Sequence, residues 1–143
     1  MSQQPIARVL AQDLFLRCVD PHGVCRDVAA GFSFDPADPY AVWVAIPWLD
    51  GHIRWGMCRS LVSRGLTDPV GEGDVQMWPS TNEAGSGIVV MDLWSDELHV
   101  VAEVSTRELY RFLTRTLAVV PFGSERLHLD VDLLIADLLS QAE

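Results

Sequence analysis

The chain contains no lysine: its ten basic residues are all arginine, set against twenty acids for a net charge of −10. A field of that sign repels phosphate backbones at long range, so nucleic-acid binding would require a strongly segregated basic face. Long hydrophobic runs are also missing. The longest nearly unbroken one, Tyr40 to Leu49, contains a proline and is about half of the roughly 20 residues that span a bilayer. The opening MSQQPIARVLAQD has neither the basic nor the apolar region of a signal peptide, which leads to the expectation of a cytoplasmic protein. Cysteine is scarce and odd in number, with only Cys18, Cys25 and Cys58, which argues against a disulfide framework. There is no low-complexity tract and no repeat of solenoid period. The exclusive use of arginine fits GC-rich coding.

Hydrophobic residues are present in quantity. At 143 residues and 49% hydrophobic, the chain is too apolar for disorder. A chain of this length buries roughly 68–70% of its unfolded surface, enough for one core. A single domain over residues 1–143 is expected.

Four apolar-rich or alternating runs, Ile6–Cys18, Val24–Phe34, Tyr40–Ile46 and His52–Met57, are separated by turn chemistry at Asp20–Gly23, Asp35–Pro39 and Asp50–Gly51. In the last of them Ile53, Trp55 and Met57 oppose His52 and Arg54, the two-residue period of a half-buried strand. This pattern predicts a four-strand antiparallel meander. A short helix follows over Cys58–Arg64, with Gly65 at the position where helices commonly end left-handed. Three more strands are predicted at Asp74–Trp78, Gly87–Trp94 and Glu97–Val104, the last two joined by a short turn at Ser95-Asp96.

Ser105-Thr106-Arg107-Glu108 reads as a capping box in which the serine hydroxyl and the glutamate each satisfy an orphan amide. Leu109, Phe112, Leu113 and Leu117 form the buried stripe of the helix it opens. Pro121-Phe122-Gly123 ends that helix, and Asp130 caps a last one with Val131, Leu134, Ile135, Leu138 and Leu139 on one side. Four strands, a helix, three strands and two helices, with no strand-helix-strand alternation, predict an α+β fold with antiparallel sheets.

The candidate chemistry is thin. Cys18-x3-His22-x2-Cys25 puts three soft ligands close together. A structural zinc takes four, however, and no second pair at ligand spacing follows. Asp35 and Asp38 each precede a proline, where the side chain starts a turn by bonding its own backbone. Gly71-Glu72-Gly73-Asp74 carries two acids and no Lys-Ser/Thr, so it reads as a loop and not as a phosphate cradle. No Gly-x-Ser-x-Gly elbow occurs, and His22, His52, His99 and His128 have no surroundings that assign them to a triad. Catalytic, metal and cofactor residues are therefore all set at none.

Two features suit a binding surface instead. Arg107, Arg111 and Arg115 share one stripe of the capped helix, within reach of Glu103 and Glu108 for internal pairing. Five tryptophans exceed what one small core hides, and Trp is enriched at interfaces, with Trp43 and Trp78 the candidates.

"FDPADPYAV" (Phe34–Val42), "GDVQMWPS" (Gly73–Ser80), "ELYRFLTRT" with "VVPFG" (Glu108–Gly123) and "DVDLLIADLL" (Asp130–Leu139) together resemble the SsgA-like proteins, sporulation and cell-division regulators of filamentous actinobacteria. The ending Trp78-Pro79-Ser80 is closer to the SsgB branch than to the SsgA branch. The resemblance implies a Whirly-like fold of two antiparallel sheets with helices, assembly as a homo-oligomer (a trimer), and no enzymatic activity or cofactor. It also implies work at division septa, with other SsgA-like proteins and the tubulin-like division protein FtsZ as partners. Because the eukaryotic Whirly-like proteins bind single-stranded nucleic acid, such a module is the rival reading, ranked behind by the charge of −10. In the same light Gly123 becomes a hinge, expected at positive φ, that sets how the last helix docks.

Overall fold

A computed structural model of the protein describes residues 8–128. Eight strands and two helices follow in the order β1 (Leu10–Val19), β2 (Cys25–Phe34), β3 (Ala41–Trp48), β4 (Gly51–Cys58), α1 (Arg59–Gly65), β5 (Val70–Glu72), β6 (Val75–Thr81), β7 (Gly87–Trp94), β8 (His99–Ser105) and α2 (Thr106–Val119), with a 3-10 turn at Glu125–His128. The helix expected from Asp130 lies outside the described residues.

The strands form one antiparallel sheet in the order β4-β3-β2-β1-β8-β7-β6-β5. Two sheets were expected. The two meanders exist, but they are joined edge to edge where Leu16–Val19 of β1 pairs with Val101–Val104 of β8. Each meander would otherwise leave a row of unpaired amides and carbonyls on its first or last strand. Fusing them satisfies both rows along Leu16–Val19 and Val101–Val104. The sheet curls, so that α1 touches β3 and β4 at one edge and β5 and β6 at the other. The indole nitrogen of Trp55 on β4 also reaches across to donate to the Trp94 carbonyl on β7, at 2.8 Å.

Alternation then assigns the faces. Leu14, Leu16 and Cys18 of β1, Phe32 and Phe34 of β2, and Val42, Val44 and Ile46 of β3 point into the curl. Leu109 and Phe112 of α2 fill its interior, with the Phe112 ring edge-on to Phe32 at 5.8 Å. Ser105 opens α2 as expected, its hydroxyl accepting from the Glu108 amide at 3.3 Å.

Three local expectations are corrected. Gly71 and Glu72, read as loop, belong with Val70 to a short edge strand paired with Val75–Met77. The turn between β7 and β8 runs from Ser95 to Leu98, with the Ser95 hydroxyl accepting from the amides of Glu97 and Leu98. Gly65 is not left-handed; it belongs to α1, where an added Cβ would stand 3.1 Å from the Met77 Cβ. Its role is to let α1 lie directly against the sheet.

The β3–β4 hairpin closes through Leu49-Asp50, and Leu49 has φ +53° with its side chain 85% exposed. A left-handed leucine costs about 1 kcal/mol and here gains no packing in return. Leu49→Gly is expected to raise stability by a few tenths of a kcal/mol up to about 1 kcal/mol in denaturant unfolding. A loss of stability would show that the observed φ is not strained.

Candidate functional site

The polar organisation of the structure centres on a residue that belongs to none of the sequence motifs. Arg59, the first residue of α1, is 1% exposed. Its Nη1 donates to the Thr116 carbonyl of α2 at 3.2 Å, and its Nη2 lies 3.0 Å from Glu125 Oε1. The guanidinium is sandwiched between the rings of Phe34 and Phe122, at 5.0 and 4.8 Å from their centres. One side chain thus ties α1, the end of α2 and the turn beyond it into a single corner. Planar arginine suits this role, because it stacks and donates in fixed directions at once.

Gly123 completes the corner. Its φ is +93°, as expected of the hinge, and its amide donates to Glu125 Oε2 at 2.8 Å. That conformation costs glycine little and burdens any residue with a Cβ. Glu125 is held below the usual carboxylate range, first by a hydrogen bond from its own amide and then by Arg59 and the Gly123 amide, against an opposing cost of desolvation. A depressed folded-state value adds stability above the ordinary carboxylate range and loses it as pH falls through the folded value. Glu125→Gln is therefore expected to lower the thermal midpoint at neutral pH and to flatten its fall between about pH 5 and pH 3. Parallel midpoint-versus-pH curves for the two proteins would remove Glu125 from the acid response.

The α2 arginines stand where the helical spacing put them. Arg107, Arg111 and Arg115 are all exposed on the side of α2 opposite Leu109, Phe112 and Leu113. The internal pairing expected for them is not seen: among the described residues none of the three makes an ion pair. Glu103 faces Arg17 across the β1–β8 seam, and Arg115 donates to Gln12 Oε1 at 2.5 Å. Tyr110, 59% exposed, lies between Arg107 and Arg111. The face is cationic and aromatic on a chain that is acidic overall.

Trp43 and Trp78 are both half-buried and both on the outer face of the sheet. They are far apart in strand order, on β3 and β6. Trp43 lies flat on Gly56, whose added Cβ would stand 2.8 Å from the indole, with the Arg54 guanidinium 4.7 Å above the ring. Trp78 pairs across from Val90.

The remaining polar candidates resolve into architecture. Asp35 accepts from the Ala37 amide at 2.9 Å, so its role is to turn the chain. Cys18 points into the core opposite Arg26 while Cys25, opposite Val19, takes the other face, so Cys18, His22 and Cys25 do not converge. Burial pushes the Cys18 thiol up to about 11, which keeps it protonated and unreactive. His99 lies 2.6 Å from Asp92 Oδ1 and stacks on Trp94 at 3.4 Å.

Comparison with known proteins places this architecture. Residues 28–125 match the sequence profile of the SsgA family, described as the Streptomyces sporulation and cell division protein. The chain is 37% identical over 131 residues to the sporulation-specific cell division protein SsgB of Frankia casuarinae, covering 91% of each chain. It is 37% identical over 131 residues to SsgB of Streptomyces coelicolor, covering 91% of this chain and 95% of that one. Among solved structures, an SsgA-like sporulation-specific cell division protein from Thermobifida fusca superposes with a TM-score of 0.81 at 27% identity, covering 94% of this chain and 98% of the other. A structure of S. coelicolor SsgB gives 0.78 at 36% identity, covering 88% of this chain and 99% of the other. No described helix is long and apolar enough to cross a membrane. With the motifs, the curled sheet and these matches in agreement, the chain belongs to the SsgA family of sporulation and cell-division proteins.

Proposed function

We propose that this protein is a non-catalytic adaptor that helps position division septa, acting as a homo-oligomer, a trimer, that recruits division proteins such as FtsZ. The observation that carries the reading is the end-to-end match to proteins named for sporulation-specific cell division. The cationic face of α2 supports it physically. Three arginines without ion-pair partners among the described residues cost side-chain entropy to immobilise, and a partner's carboxylates would compensate that on binding. A protein acting at the septum also needs no cofactor, and the reading asks for none.

The test is a pull-down of division proteins from sporulating cells, with wild-type bait and with Arg107, Arg111 and Arg115 all changed to Glu. FtsZ, or another septation protein, is expected with the first bait and not with the second. Capture that survives all three reversals would leave the α2 face as solvated surface only.

A second reading has one observation in its favour. Arg107, Tyr110 and Arg111 interleave cations with an exposed ring, the combination that single-stranded nucleic acids stack upon. Salt-dependent retardation of a labelled oligonucleotide at micromolar protein would move this reading ahead of the first.

A further inference from the structure

The far edge of the sheet carries an offer that the α2 face does not. β4 runs unbroken from Gly51 to Cys58 against β3, each residue paired from Trp48↔Gly51 to Ala41↔Cys58, with no bulge. The hydrogen-bonded and open pairs of an antiparallel ladder alternate. Because the two-residue hairpin closes on Trp48–Gly51, the amides and carbonyls of His52, Arg54, Gly56 and Cys58 point away from β3. All four residues are exposed, and among the described residues no turn or inter-element backbone bond uses these groups, apart from the Cys58 carbonyl, which as the N-cap position of α1 serves the first turn of that helix. Of the devices that usually blunt such an edge β4 carries only the exposed charge of Arg54: it has no proline, no bulge and no inward-pointing charge.

Beside this edge lies an open groove of about 480 Å³, bounded by Tyr40, Met57, Cys58, Leu61 and Val75. It is lined from β3 and β4 on one side and by Glu72 and Val75 of β5 and β6 on the other, with Leu61 of α1 between them. The outward face of β4 presents two basic groups, His52 and Arg54, and the stack on Trp43 holds Arg54 in place. Glu72, on the opposite wall, is the one acid lining the groove.

We propose that β4 is an acceptor edge for an extended segment of a partner protein, added as a ninth strand, in which carboxylate side chains alternate with apolar ones. Backbone groups opposite His52, Arg54, Gly56 and Cys58 complete the ladder. Side chains at those positions fall on the outer face beside His52 and Arg54, which calls for acids. Side chains at the intervening positions fall on the inner face beside Ile53, Trp55 and Met57, and the one beside Met57 meets the groove, which calls for apolar residues. The proposal rests on the reading of the protein as an adaptor and names one kind of contact it makes.

The test titrates labelled peptides of about nine residues, one alternating Glu and Val and one alternating Lys and Val, into the full chain. The Glu peptide is expected to bind in the micromolar range, and to slow exchange of the His52, Arg54 and Gly56 amides. Cys58→Pro removes one edge donor where the native φ is −61°, already suited to proline. It is expected to weaken binding about fivefold to tenfold with little change in the thermal midpoint. Arg54→Glu is expected to reverse the preference toward the Lys peptide. Binding of the Glu peptide that neither substitution weakens would overturn the proposal, as would no binding at all. A wild-type oligomer that Cys58→Pro dissociates would assign the edge to a second copy instead. A protein that captures septation proteins in the pull-down yet ignores both peptides would keep the adaptor reading and lose this one.

Discussion

Arg59→Ala is expected to cost about 3–5 kcal/mol, lowering the thermal midpoint by roughly 10–17 °C. The alanine leaves a void between Phe34 and Phe122, removes one of the two donors to the Thr116 carbonyl, which keeps the Val120 amide, and leaves Glu125 without its cation. Arg59→Met separates the two contributions. Methionine fills the slot between the rings and supplies no donor, so it is expected to retain a larger share of the stability than alanine does. Chemical unfolding of the three proteins measures both. Equal losses for Ala and Met would mean that the polar contacts carry the whole effect and the ring sandwich none. A loss below about 1 kcal/mol for Ala would show that the corner does not hold the elements together.

Phe112→Ala should have an effect of similar size, about 3–5 kcal/mol, for a different reason. Its ring is 0% exposed and meets Phe32 edge-on inside the curl, so it is the plug that seats α2 in the sheet. The expected consequence extends to binding. A loosened α2 no longer presents Arg107, Arg111 and Arg115 as one rigid stripe, so partner capture should fall at temperatures where the variant is still folded. Conservative Phe112→Leu, which keeps most of the volume, should recover both. Capture unchanged in folded Phe112→Ala would separate the binding face from α2.

The sequence was most readable where the periodicity of single elements decides the structure. β7 appears at its expected bounds, α2 opens at the expected serine, and the second and fourth runs are strands shifted by a residue or so. Pairing between distant strands was not legible. Nothing in residues 10–19 or 99–105 says that those two strands meet, because either would read the same at the edge of a separate sheet. β5 escaped because a three-residue strand with Gly71 in its centre carries no alternation.

Arg59 escaped for a related reason. A single charge after an apolar strand usually marks exposed surface, and its partners, Thr116 and Glu125, are remote along the chain. The available signal was weak: Val-Val-Pro-Phe-Gly is followed two residues later by an acid, in a chain with few arginines to balance it. Gly65 was noticed, but for the conformation glycine allows and not for the space it leaves. Of the surface residues singled out, the arginines and Gly123 stand as expected in geometry, whereas the two tryptophans lie on different strands and form no single patch.

The seam between β1 and β8 has a consequence for how the molecule is made. During synthesis β1 finds its partner on one side at once, in β2, while its other side waits for β8, the last of the described strands in chain order. During that interval β1 is a sticky margin, able to pair with the same strand of a neighbouring nascent chain. Dense polysomes should therefore favour tangled products, and slower elongation before β8 has emerged, which prolongs the exposure of β1, should favour them further.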